Sequence, residues 1–113
     1  MEHPRSVTLR DVRDAGELRV LTASAHADGT LAIEGHDLGP GVGAVWGSGL
    51  TEYEWGWTIG ADDVAQAPAA LGGMAGDDPL AVLRAWFERH GRDPCQAIKD
   101  AGVPIDFWNR VGA

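Results

Sequence analysis

A chain of 113 residues is long enough to bury one hydrophobic core without metal or disulfide staples, so a single domain over residues 1–113 is expected. Its one cysteine, Cys95, leaves no internal disulfide and no Cys-based metal cluster to build, which fits a reducing, cytoplasmic setting. No apolar run approaches the roughly 18–20 residues of a membrane span or the core of a signal peptide, and a net charge of −8 at pH 7 opposes binding to nucleic-acid phosphates or anionic membranes.

Along the chain, SVTLRDV alternates Val7 and Leu9 with Thr8 and Arg10, the period of a short strand that ends before a turn at residues 14–16. ELRVLTASAHADGTLAIEGHD reads as a hairpin, because Asp28-Gly29 suits the positive φ angles of a type I′ turn. With those two residues as the loop, His26 faces Leu31, Ser24 faces Ile33 and Thr22 faces Gly35. Val20, Thr22, Ser24, Leu31 and Ile33 then share one side. In that register His26 and His36 lie five positions apart on opposite faces. At about 3.3 Å per residue they are too distant to share an ion, so no metal site is expected from them.

LGPGVGAVWGSGL holds five glycines and a proline and is expected to be an irregular loop over residues 38–50. It lacks the lysine of a phosphate-binding loop and sits in the most acidic part of the chain, which argues against phosphate. EYEWGWTI then has the clearest strand period: Tyr53, Trp55, Trp57 and Ile59 on one face, Glu52, Glu54, Gly56 and Thr58 on the other. The aromatic face is the natural core side of an antiparallel sheet.

Three helical stretches follow. ADDVAQAPAALGG must be kinked or shortened at Pro68. DDPLAVLRAWFERHG carries an Asp78 cap, a proline in its first turn, Gly91 as its stop and a stripe of Leu80, Leu83, Trp86, Phe87 and His90. A last helix starts at Asp93-Pro94 and stops at Gly102, and the apolar tail VPIDFWNRVG is expected to dock. The order predicts an α+β domain, an antiparallel sheet of about four N-terminal strands covered on one face by two or three C-terminal helices.

Catalytic signatures are weak. Glu52 and Glu54, about 7 Å apart on a wet strand face, have the residue types of a glycosidase pair, but nothing marks either as buried. Ser48 lacks the first glycine of a nucleophile elbow. Cys95, in a helix's first turn with His90 five residues before it, is the best nucleophile and base in the chain, set against the commoner use of cysteine as a small core residue. No cofactor motif is present, and a non-enzymatic role is expected.

Charge placement says more. Residues 28–78 hold nine acidic groups and no Lys or Arg, whereas the flanking segments are nearly balanced. Such a field attracts cations and basic proteins. Acidic and aromatic residues of this stretch, namely Glu52, Glu54, Asp37, Trp46, Asp62 and Asp63, are therefore the expected surface for a basic protein partner. The alternative is a small-molecule binding protein or small enzyme, with Trp46, Tyr53 and His36 lining a pocket under the loop of residues 38–50. A homo-oligomer is a third organisation compatible with the sequence.

At GHDLGP (35–40), EYEWGWTI (52–59), LGG (71–73) and GVPIDFWNRVG (102–112) the chain resembles a group of small, mostly uncharacterised actinobacterial proteins. That resemblance runs from about residue 17 to the end and implies no particular activity. In size and charge the chain is also similar to immunity proteins, which neutralise basic toxin domains, and this implies an inhibitor role.

Overall fold

A computed structural model describes residues 5–74 and 76–112. Five antiparallel strands form one meander in chain order: β1 Arg5–Asp14, β2 Glu17–Ala25, β3 Leu31–Leu38, β4 Glu52–Ile59 and β5 Asp106–Gly112. Helix α1 (Pro40–Trp46) bridges β3 and β4. A 3₁₀ turn (Val64–Gln66) with α2 (Ala67–Ala70), then α3 (Pro79–His90) and α4 (Cys95–Asp100), lie between β4 and β5. The fold is thus α+β, as the sequence predicts, with a fifth strand supplied by the docked tail.

The two-residue turn with both φ angles positive lies elsewhere than at Asp28-Gly29, where Gly29 alone has a positive φ (91°). Ala15 (φ 49°) and Gly16 (φ 82°) form the two-residue loop of the β1–β2 hairpin, closed by the Asp14–Glu17 pair. Between β2 and β3 the loop has five residues. The Asp28 carboxylate accepts from the Thr30 amide (3.0 Å) and hydroxyl (2.7 Å), and the His26 amide donates to the Thr30 carbonyl (2.9 Å). Ala25 therefore pairs with Leu31, and each partner is displaced by one residue from the predicted register. A one-residue slip exchanges the faces. Leu21 and Ala23 join Leu31 and Ile33 in the interior, and Val20, Thr22 and Ser24 turn outward beside Ala32, Glu34 and His36. The slip is favoured because it buries Leu21 completely in place of two hydroxyl side chains.

The loop expected at residues 38–50 folds instead into α1. Pro40 presets the first turn, and the Glu17 carboxylate accepts from the Gly41 amide at 2.7 Å, satisfying a helix-terminal donor. Pro68 shortens its element to a single turn after the 3₁₀ segment. The longest helix has the predicted ends: Asp78 accepts from the Leu80 amide and Gly91 adopts the left-handed conformation.

One core joins Leu21, Ala23, Leu31, Ile33 and Ile59 of the sheet to Leu71, Leu80, Leu83, Trp86, Cys95, Ile98 and Val103 of the segments between β4 and β5. Its sheet side is aliphatic. Trp55 and Trp57 are half-buried at its border, and Tyr53 lies outside it. Helix α3 approaches β1 and β2, tied at its cap by the Arg5–Asp78 ion pair (3.0 Å). Toward the Leu38–Glu52 end of the same face the core gives way to Arg10, Arg19, Asp37 and Tyr53, half-buried or exposed.

Candidate functional site

Among the described residues the second face of the sheet has no buried apolar cluster, and its side chains are ordered by register. His36 pairs with Glu54, and Glu54 with Arg110, across three neighbouring strands. One row away Thr22, Glu34, Gly56 and Trp108 align across β2 to β5. A side chain at position 56 would run into the indole of Trp108, with a Cβ only 2.3 Å from its Nε1. Glycine there lets the ring lie flat on the sheet. Trp108 walls a concavity of about 370 Å³, floored by Val20, Thr22 and Ser24 and bounded by Glu34, His36 and Glu54.

The charged corner of this concavity is compact. His36 Nε2 stands 3.1 Å from Glu52 Oε1 and 3.6 Å from Glu54 Oε1, and Arg110 Nη2 donates to Glu54 Oε1 at 3.0 Å. The Glu54 carboxyl is held below the usual carboxylate range by its hydrogen-bonding contact with the Glu52 carboxyl, reinforced by the Arg110 guanidinium and the His36 ring. Donor atoms of His36, Glu52 and Glu54 all lie within 4.8 Å of one another, so the corner has the residue types and spacing for a divalent cation. The cation it already holds is a guanidinium, that of Arg110.

The predicted partner surface is divided. Glu52 and Glu54 lie together on the open face. Asp37, Trp46 and Tyr53 belong to the opposite face at the same end of the sheet, where Trp46 packs on Tyr53 (4.8 Å between ring centres) and Tyr53 on Trp55 (5.2 Å). Asp62 and Asp63 follow the far end of β4, about 20 Å away along the strand. Of the predicted pocket, His36 borders the concavity, and Trp46 and Tyr53 do not.

Asp37 has a distinct environment. Its carboxyl is pushed up by burial, opposed by the nearby Arg10 and Arg19 charges. Its Oδ1 and the Arg10 Nε are enclosed without a hydrogen-bond partner among the described residues.

The nucleophile reading fails on burial. Cys95 is fully enclosed, its thiol pushed far up by that burial and by Asp93, and the His90 ring packs against Trp86 at 4.2 Å. Sequence reasoning missed Trp108, Glu34 and Arg110. The available signal was Gly56, a gap in the Glu52/Glu54 face that a neighbouring strand's aromatic ring could fill. No helix among the described residues is long and apolar enough to cross a membrane. No protein family, curated protein or solved structure matches the chain.

Proposed function

We propose that this protein is a non-enzymatic binding domain that receives a cationic side chain of a basic protein partner on the open face of its sheet. The observation that carries the reading is the concavity between Trp108 and the Glu34 and Glu54 carboxylates. An indole face and carboxylates together are the chemistry that recognises guanidinium or ammonium groups. Arg110 supports it from within, because its guanidinium rests on Glu54 at the rim, the position a partner arginine would share. The acidic residues 28–78 supply a longer-range field that speeds encounter with a basic surface. An immunity-type inhibitor, which masks the basic surface of a toxin, is one form of this reading.

A hexa-arginine peptide is the probe. Binding followed by fluorescence anisotropy should weaken by at least about tenfold between roughly 20 mM and 500 mM salt. At low salt Glu34→Lys should weaken it several-fold, whereas Glu88→Lys, the same charge change on exposed α3, should leave it near the wild-type value. Equal losses from the two substitutions would reduce the effect to net charge and remove the site. The alternative, a small-molecule site, is favoured by the mixed aromatic and polar lining of the same concavity. It requires saturable quenching of Trp108 fluorescence by a small cation, absent in Trp108→Phe.

A further inference from the structure

The two edges of the sheet are built differently. Strand β1 is interrupted by a bulge between Thr8 and Arg10 and carries Arg5, Arg10, Asp11, Arg13 and Asp14, the devices that keep an edge from pairing with another chain. Strand β5 has no bulge, and it carries one charge of each sign, Asp106 and Arg110. Its pairing with β4 runs without a bulge from Asp106 to Thr58 through Gly112 to Glu52, its outer side has no neighbouring strand among the described residues, and it leaves Phe107 45% and Trp108 43% exposed. A regular, aromatic, uncovered edge strand is a template for strand addition.

The sequence of β5 identifies the added strand. Outward N–H and C=O groups alternate along an edge, so two identical antiparallel edges can meet only in registers centred on a residue. Centring on Phe107 sets Trp108 against Asp106 and leaves Arg110 opposite Pro104. Centring on Asn109 sets Trp108 against Arg110 and Asp106 against Gly112. Centring on Trp108 places Asp106 opposite the second copy's Arg110, and by symmetry does so twice, with the two Trp108 residues opposite each other at the axis. On the reverse face the same register pairs Phe107 with Asn109. D-F-W-N-R is thus charge-complementary to itself in one register, and opposite charges facing across strands stabilise the pair.

We propose that β5 is a homodimerisation edge: two copies pair antiparallel about Trp108, extending the five-stranded sheets into one ten-stranded sheet. The two open faces then become a continuous surface, with Trp108 of each copy beside the axis. This inference rests on the edge and its charge pattern and stands apart from the identity of any basic partner.

Sedimentation of the wild-type protein between about 1 μM and about 1 mM should show a reversible monomer–dimer equilibrium. Asp106→Arg and Arg110→Asp each set like charges opposite each other, and each should weaken self-association by about tenfold. Mixed one to one, the two variants re-create both opposite-charge pairs, so the mixture should dimerise as tightly as wild type. Trp108→Lys, which leaves the Arg110–Glu54 contact in place and sets two lysines opposite each other at the axis, should weaken self-association at least as much, guarding against a folding defect in Arg110→Asp. Amide hydrogen exchange should show β5 protected as concentration rises. A wild type that stays monomeric across the range, variants that dimerise like wild type, or a mixture no tighter than its components would each overturn the proposal. So would a dimer in which β5 gains no protection, which would place the contact with another occupant or surface.

Discussion

The two faces of the sheet share strands and backbone hydrogen bonds but are put to opposite uses. The inner face contributes Leu21, Leu31, Ile33 and Ile59, all fully enclosed, while the outer face offers His36, Glu34, Glu52, Glu54, Arg110 and a Trp108 ring that water reaches. A buried aliphatic side chain contributes about 1.5–3 kcal/mol, whereas exposed ion pairs contribute about 0–1 kcal/mol. Stability should therefore reside on one side and recognition on the other. The contrast shows how a small domain can keep an exposed charged surface without weakening its fold: the strand period of two separates the tasks residue by residue.

The largest expected effect tests that separation directly. Ile33→Ala removes three methyl or methylene carbons from the enclosed core and should cost about 3 kcal/mol in urea denaturation. The neighbouring Glu34→Ala, exposed on the outer face, should change stability by less than about 0.5 kcal/mol while weakening the arginine peptide. Comparable losses in stability from the two would break the division.

A sharper version uses two glycines, each beneath a tryptophan of the next strand. A Cβ on Gly35 would come within 2.0 Å of the Trp55 ring on the inner face, and one on Gly56 within 2.3 Å of Trp108 on the outer face. Trp55 is packed at the core border and stacked on Tyr53, so its displacement disrupts other contacts; Trp108 can swing into solvent. Gly35→Ala should therefore destabilise by about 2 kcal/mol, and Gly56→Ala by under about 1 kcal/mol. The second should instead appear as weaker peptide binding, because it moves the wall of the concavity.

These differences also explain what the sequence alone disclosed. The faces of β4 were legible because strict alternation over EYEWGWTI needs no partner strand to interpret. The ends of α3 were legible because Asp78, Pro79 and Gly91 each act on the nearest backbone. The β2–β3 register was not, because Asp28 serves as a side-chain acceptor for Thr30 in a five-residue loop rather than as a turn-forming residue of a two-residue one. That slip decided which of Val20 or Leu21 faced inward. The site depended on it in turn: His36 meets Glu54 only through β3–β4 pairing, and Trp108 reaches Gly56 only because the tail returns to the sheet after four helical segments. A composition count finds the acidic residues between 28 and 78 but cannot see that Asp37, Glu54 and Asp62 occupy three separate places.

The smallest effect comes from the polar end of the inner face, where the separation of tasks is least complete. Asp37 is drawn partly out of water there, and burial raises its carboxyl above the ordinary value despite Arg10 and Arg19; His36 and Glu17 are its other charged neighbours. The folded protein therefore holds the Asp37 proton more tightly than the unfolded chain does. Stability contributed by that proton is complete below the unfolded value near pH 4 and is lost as pH rises through the higher folded value. Asp37→Asn keeps the shape and removes the ionisation. Its denaturation midpoint should match wild type in acid and exceed it at neutral pH, by under about 0.5 kcal/mol because the arginines recover part of the cost. A variant less stable than wild type at pH 7 would mean that the Arg10 and Arg19 attractions outweigh desolvation. Asp37 would then be an ion-pair anchor of the inner face rather than a carboxylate held there at a cost.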